Sequence, residues 1–279
     1  MEWGALSGPL WSWHPHPLAW SLVLVPGGLY VRAARRGPER ARERDVALFG
    51  LGLFLLYTFL DWPVADLAGR SLLVHLAQQT VLLLAVPPLL LLGTRAWTAR
   101  LHLPGPLTRV SSPTGATLVF NAVVIVSFLP AVMNGVVRNG AAAAGMDLML
   151  LLAGLVMWAP ALRIGPATGR PLSHAGRAAY LIVQSVLPSF ASLIFIFARH
   201  PVYDVFRDSA RSVGLSPVAD QQLAGALAKV VGLAVLLGAA GAILLRGDAG
   251  SEDDLPPGTL SWDDVERELR RLEGKSGAG

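Results

Sequence analysis

The sequence predicts an all-α fold: a polytopic membrane protein, a seven-transmembrane-helix bundle with its N-terminus outside and its C-terminus cytoplasmic. Three observations predict it. The 279 residues are 53% hydrophobic and only 15% charged, with a mean hydropathy of +0.51, which is far from an ordinary soluble domain. Apolar runs of bilayer length, roughly 17–25 residues, recur seven times along the chain. The arginines gather in alternate connections between those runs, the bias that fixes membrane topology.

The same observations exclude other classes. The sequence pI of about 9.9 comes from arginines in short loops, so no nucleic-acid partner is expected. There is no cysteine, which removes disulfides, thiolate metal sites and thiol nucleophiles. No nucleophile–base–acid set is visible, so no enzymatic activity is expected. No internal repeat is visible either, which removes support for an inverted-repeat transporter.

The runs fall at 18–34, 46–62, 71–93, 116–137, 141–162, 178–198 and 220–245. They define a transmembrane domain over 18–245, preceded by an extracytoplasmic segment 1–17 and followed by a cytoplasmic tail 246–279. Segment 1–17 is rich in tryptophan and carries no basic residue, so it lacks the n-region of a signal peptide. Trp11, Trp13 and Trp20 form an aromatic belt at the membrane interface. His14 and His16 beside them read either as interfacial polar residues or as a weak outer metal site.

The connections set the orientation. Arg32, Arg35, Arg36, Arg40, Arg42 and Arg44 follow the first run. Arg95, Arg100 and Arg109 follow the third, and Arg163, Arg170 and Arg177 follow the fifth. Arg246, Arg267, Arg270, Arg271 and Lys275 follow the last. The opposite side carries only Arg70, Arg138, Arg199, Arg207 and Arg211. The richer side is cytoplasmic.

Polar residues within the runs mark candidate sites, because ionisable groups at membrane depth are costly. In the third run His75, Gln78 and Gln79 share one helical face. His75 lies about 6 Å inside the run and reads as a buried, singly hydrogen-bonded imidazole or as a metal ligand or proton carrier. Further along, Pro87 and Pro88 should break the helix and free carbonyls that need partners. Pro26, Pro130, Pro160 and Pro188 add kinks in other runs. Asn121 and Gln184 are single amides suited to interhelical hydrogen bonds. In the fifth run Met146 and Met149, with Met133 nearby, read as gap-filling core or as soft Cu(I) ligands.

Asp220, Gln221 and Gln222 open the seventh run, where a carboxylate is stabilised by free amides. Lys229 sits about 13 Å further along the axis and needs a counter-charge; Asp147 in the fifth run is the expected partner. The tail offers a short amphipathic helix from Ser261, with Trp262, Val265, Leu269 and Leu272 on one face.

Several strings together resemble a known family. They are Trp11-Ser-Trp-His-Pro, Leu29-Tyr30 with Arg35-Arg36, and Asp61-Trp62-Pro63-Val64-Ala65-Asp66-Leu67. They continue with His75-Leu-Ala-Gln78-Gln79 through Pro87-Pro88 to Gly93, and with Ala153-Gly154 through Trp158. Pro201-Val-Tyr203 and Asp220-Gln221-Gln222-Leu223-Ala224-Gly225 complete the set. In order and spacing the chain resembles the seven-helix CtaG family of cytochrome c oxidase assembly factors, associated with caa-type oxidases. The resemblance implies a multi-pass protein of the bacterial plasma membrane, in contact with membrane lipid and a haem–copper oxidase subunit of the respiratory chain. It implies a role in oxidase assembly, with copper as the one cofactor on offer, helped toward the oxidase.

The candidate metal ligands it leaves are His75, Gln79, Asp147 and Asp220, with Gln78, Lys229, Gln221 and Gln222 as other polar residues at membrane depth. The chain departs from the family's histidine pattern. Gln79, Phe128, Ala143, Met146 and Asp147, and Ala228-Lys229, stand where that pattern carries other residues, mostly histidines. A degenerate metal site is therefore one expectation. The alternative is an accessory membrane subunit with no metal. A retinal-type protein is a remote third reading of the seventh-run lysine, since the third run has no carboxylate counter-ion.

Overall fold

The computed structural model describes residues 16–36, 42–95, 109–164 and 172–248. Most of segment 1–17, His14 with it, and the tail beyond Asp248, including the helix expected from Ser261, lie outside the described residues. Within them the protein is helical, with no strand. The elements are α1 (Pro17–Arg36), α2 (Glu43–Leu60), α3 (Val64–Ala68), α4 (Leu72–Thr80), a π-helical turn (Val81–Ala85), α5 (Val86–Gly93), α6 (Pro113–Phe128), α7 (Pro130–Arg138), α8 (Gly140–Leu162), α9 (His174–Phe197) and α10 (Pro217–Asp248). Two 3₁₀ turns, Asp204–Phe206 and Ser209–Val213, lie between α9 and α10.

Every expected apolar run falls on helix. Three spans and α10 are long and apolar enough to cross a membrane: Leu72–Gly93, Gly140–Leu162, His174–Phe197 and Pro217–Gly247. The α6–α7 pair makes a fifth if its bent halves count as one. Leu24, Phe54, Leu118, Phe190, Ile194, Phe197, Val230 and Leu245 all point outward on the perimeter. Exposed apolar surface on this scale is that of a membrane protein.

The run expected at 116–137 is not one helix. It breaks at Leu129, which is extended (φ −65°, ψ 128°), and its halves meet at 73°. Pro130 explains the break, because proline pushes the residue before it out of the α region.

The Pro87–Pro88 pair does not interrupt the third run as expected. The span Leu72–Gly93 is continuous. The π turn just ahead of the prolines absorbs the mismatch, and the two prolines sit in the first turn of α5, where no amide donor is needed. Proline 87 cannot donate to the Leu83 carbonyl, and the Trp158 indole Nε1 of α8 donates to it instead at 3.3 Å. Gly154, one turn earlier on α8, makes that approach feasible. A Cβ there would stand 2.7 Å from the Leu83 oxygen and 2.6 Å from Pro87 Cγ.

Long-range amide bonds knit the rest. Asn121 Nδ2 donates to Gln184 Oε1 at 3.0 Å, and Gln184 Nε2 donates to Thr117 Oγ1 at 2.7 Å, linking α6 to α9. These are the interhelical bonds the two amides suggest. Helices α9 and α10 pack closely along their length. Gly225 lets them meet: a Cβ would lie 2.7 Å from the Ser192 carbonyl.

Candidate functional site

The polar residues of the third and seventh runs come together at one end of the bundle, where α4 begins. Ser71 is the N-cap of α4, and its side chain accepts from the Val74 amide. The first amides of any helix lack an intrahelical partner. Here α10 supplies one from across the bundle. Asp220, 0% exposed, accepts from the Leu72 amide at 2.7 Å, the Leu73 amide at 3.2 Å and the Ser71 hydroxyl at 2.6 Å. The carboxylate therefore serves the α4 terminus in addition to lying in the first turn of its own helix.

One turn into α4, His75 is buried at 7% exposure. Gln79 Nε2 lies 3.0 Å from His75 Nε2. An amide NH₂ only donates, so His75 Nε2 accepts, and the ring proton sits on Nδ1. The Ala68 carbonyl lies on the imidazole as a hydrogen-bond partner, which suits that tautomer. Both ring nitrogens are thereby engaged in a neutral imidazole. Gln78 is buried next to this pair, and Gln222 is exposed.

The connection between α9 and α10 closes over this end. The Phe206 ring lies 5.9 Å from the His75 ring, and Tyr203 joins Phe206 to Phe195 and, through it, to Phe128. Three polar bonds hold this aromatic cover. Gln221 Oε1 accepts from the Val202 amide at 2.7 Å. Asn134 Oδ1 of α7 accepts from the Val205 amide at 3.3 Å. The Tyr203 hydroxyl donates to the Phe128 carbonyl at 2.8 Å, an acceptor that the break before Pro130 leaves free. Burial pushes the Tyr203 phenol above its ordinary range, so it remains a donor.

The structure separates the other candidates from His75. Asp147 makes no hydrogen bond or ion pair with His75, Gln79 or Asp220, and no group of three or more histidines and carboxylates able to hold a metal ion exists among the described residues. Lys229 is not paired with Asp147, contrary to expectation: neither forms an ion pair among the described residues, and the lysine instead lines a cavity between α6, α9 and α10. The helices that carry them, α8 and α10, are not closely packed neighbours. Met133 and Met146 are buried in apolar clusters and Met149 packs, partly buried, against one of them, as core methionines do.

His16 is held by carboxylates. Its Nδ1 lies 3.2 Å from Asp61 and its Nε2 3.8 Å from Asp66, while Trp20 Nε1 donates to Asp61 at 3.0 Å. These contacts tie the start of α1 to the α2–α3 connection.

Ser71, Asn134 and Phe206 were not singled out by the sequence, and Trp158 entered only as the end of a family-like string. Only Ser71 carries a readable signal, a cap residue directly before an apolar run.

The fold and this polar layer define a polytopic helical membrane protein in which His75, Gln79, Asp220 and Gln221 are hydrogen-bonded within the bundle. Over residues 28–247 the sequence matches the family model for the cytochrome c oxidase caa3 assembly factor (Caa3_CtaG). The chain belongs to this family of cytochrome c oxidase assembly factors. No curated protein and no solved structure matches it.

Proposed function

We propose that this chain is a seven-pass protein of a bacterial plasma membrane, N-terminus outside and C-terminus in the cytoplasm. It assists the assembly of a haem–copper oxidase by docking on an oxidase subunit. It works without catalytic turnover and without holding copper on its third span. The arginine asymmetry of the connections supports the orientation. Family membership supports the assembly role.

One observation carries the metal-free reading: His75 Nε2 accepts from Gln79. The second expected ligand is thus a donor to the first. Asp147, the third, makes no hydrogen bond or ion pair with His75, and Asp220, the fourth, is committed to the amides of α4. What remains is a poor set for Cu(I), which favours sulfur and free imidazole. Copper, where it is handled during assembly, is then cargo carried by another component.

The test is complementation of a strain lacking this chain, scored by membrane oxidase content. Deletion is expected to lower it. The wild-type chain and His75→Gln, present at equal levels in the membrane, are expected to restore it equally. Unchanged oxidase in the deletion strain would remove the assembly role. A His75→Gln chain that is present but inactive would return a metal role to the histidine.

A further inference from the structure

At the arginine-rich end of the bundle two arginines clasp the connection between α8 and α9. Helix α8 ends at Leu162, and Arg163 follows it in the left-handed conformation (φ 54°, ψ 44°). Glycine is the ordinary residue at such a helix end, because a Cβ is strained there. From this position Arg163 Nη2 donates to the Leu172 carbonyl at 2.7 Å, just ahead of α9. Arg177, at the start of α9, reaches the other way, and its Nε donates to the Ala161 carbonyl of α8 at 2.6 Å. Each guanidinium is therefore held in place by a backbone carbonyl across the connection.

The donors that remain have no partner. Among the described residues neither Arg163 nor Arg177 makes a further hydrogen bond or an ion pair. Both terminal nitrogens of Arg177 keep their protons free, as do Nε and Nη1 of Arg163. Arg163 is exposed and Arg177 half-buried. Arg163 and Arg95, the latter just beyond α5, act on Arg177 as like charges, and no carboxylate offsets them. Membrane topology asks only that arginines lie on one side. It does not ask for guanidinium groups fixed by carbonyls, or for an arginine in a glycine's conformation.

The three charges share one level. Leu72–Gly93, Gly140–Leu162 and His174–Phe197 are bilayer-length spans, and Arg95, Arg163 and Arg177 stand at their ends on the same side. That boundary is the layer of lipid phosphates. A guanidinium fork matches the paired oxygens of a phosphate, and basic pockets between membrane helices take anionic head groups. Positive charge without a carboxylate favours a lipid of net negative charge over a zwitterionic one.

We propose that Arg163 and Arg177, with Arg95 beside them, form a head-group site for an anionic phospholipid, whose phosphate is held by the two guanidinium forks. The site is separate from the polar layer around His75 and does not depend on the assembly role.

The experiment titrates the full chain, in a neutral detergent, with phosphatidylglycerol and with phosphatidylcholine of the same acyl chains. Bound lipid is counted by native mass spectrometry. Phosphatidylglycerol should bind at least about five-fold more tightly, the gain that one arginine at the head-group layer supplies. Arg163→Gly removes one fork and relieves the left-handed backbone, so the chain stays folded. It should weaken phosphatidylglycerol by at least about five-fold and leave phosphatidylcholine unchanged. Arg35→Gln removes the same charge from the exposed end of α1 and should change neither lipid. An equal loss in Arg35→Gln would reduce the effect to net charge and overturn the proposal. Unchanged affinity in Arg163→Gly would overturn it as well. Inorganic phosphate in excess should not displace the lipid, and displacement would overturn the proposal in favour of a soluble phosphate. No preference for phosphatidylglycerol in the wild-type chain would overturn it and leave the forks to carboxylates, such as the run Glu252-Asp253-Asp254 of the chain's own tail.

Discussion

Replacing Asp220 with alanine removes the acceptor for three donors at the start of α4: the Ser71 hydroxyl and the Leu72 and Leu73 amides. Asp220 is fully buried, so water does not substitute without entering the bundle. Each buried donor left unpaired costs about 1–3 kcal/mol. Losing a carboxylate from a helix N-terminus adds about 0.3–1 kcal/mol. Allowing for partial relaxation into the space vacated, the total is about 4 kcal/mol. That is a large part of the roughly 5–15 kcal/mol that holds a typical protein folded. At about 2–4 °C per kcal/mol for a chain somewhat shorter than this one, the melting temperature should fall by about 8–16 °C. Asp220→Asn keeps one acceptor oxygen but turns an NH₂ toward the remaining donors, so it should recover only part of the loss. The assay is thermal unfolding of the detergent-solubilised chain followed by helical circular dichroism. An Asp220→Ala melting temperature within about 2 °C of wild type would refute the reasoning that this carboxylate closes the α4 terminus.

Four further outcomes are expected. Gly154→Ala drives a Cβ to 2.7 Å from the Leu83 oxygen and should destabilise the protein by about 1–3 kcal/mol, seen in the same melt. Trp158→Phe keeps the ring but strips the Leu83 carbonyl of its donor, costing about 1–3 kcal/mol, a loss additional to any packing change. Tyr203→Phe leaves the Phe128 carbonyl unpaired; amide exchange in residues 202–213 should quicken, and protection equal to wild type would count against the aromatic cover. Lys229→Met and Asp147→Asn should combine additively to within about 0.5 kcal/mol, because the two side chains do not pair; a coupling well above that would restore the expected ion pair.

Local pattern carried much of the fold. The apolar runs coincide with helices to within a few residues, since a bilayer-length stretch without charge has few other ways to satisfy its backbone. The His75–Gln79 contact was legible as an i, i+4 neighbour relation. The bond between Asn121 and Gln184 follows from the rule that single amides at depth find each other.

What was not legible depends on helix rotation and on long-range contact. Asp220 reads from sequence as a residue of its own helix terminus, yet it also serves α4, 148 positions away at Leu72. Lys229 and Asp147 match in depth along their helices, but α8 and α10 are not closely packed neighbours. The π turn ahead of Pro87 has no sequence signature of its own beyond the prolines that follow it. The cover over His75 depends on a carbonyl that only the bend at Leu129 exposes.

The account stands on an imidazole that is occupied internally and on the proposal that it holds no copper. Competition for Cu(I) between the purified full-length chain and bicinchoninate tests this most directly. The account predicts that the chromophoric Cu(I) complex is left intact, with less than about 0.1 copper retained per chain. Withdrawal of one Cu(I) per chain, lost in His75→Gln, would contradict it.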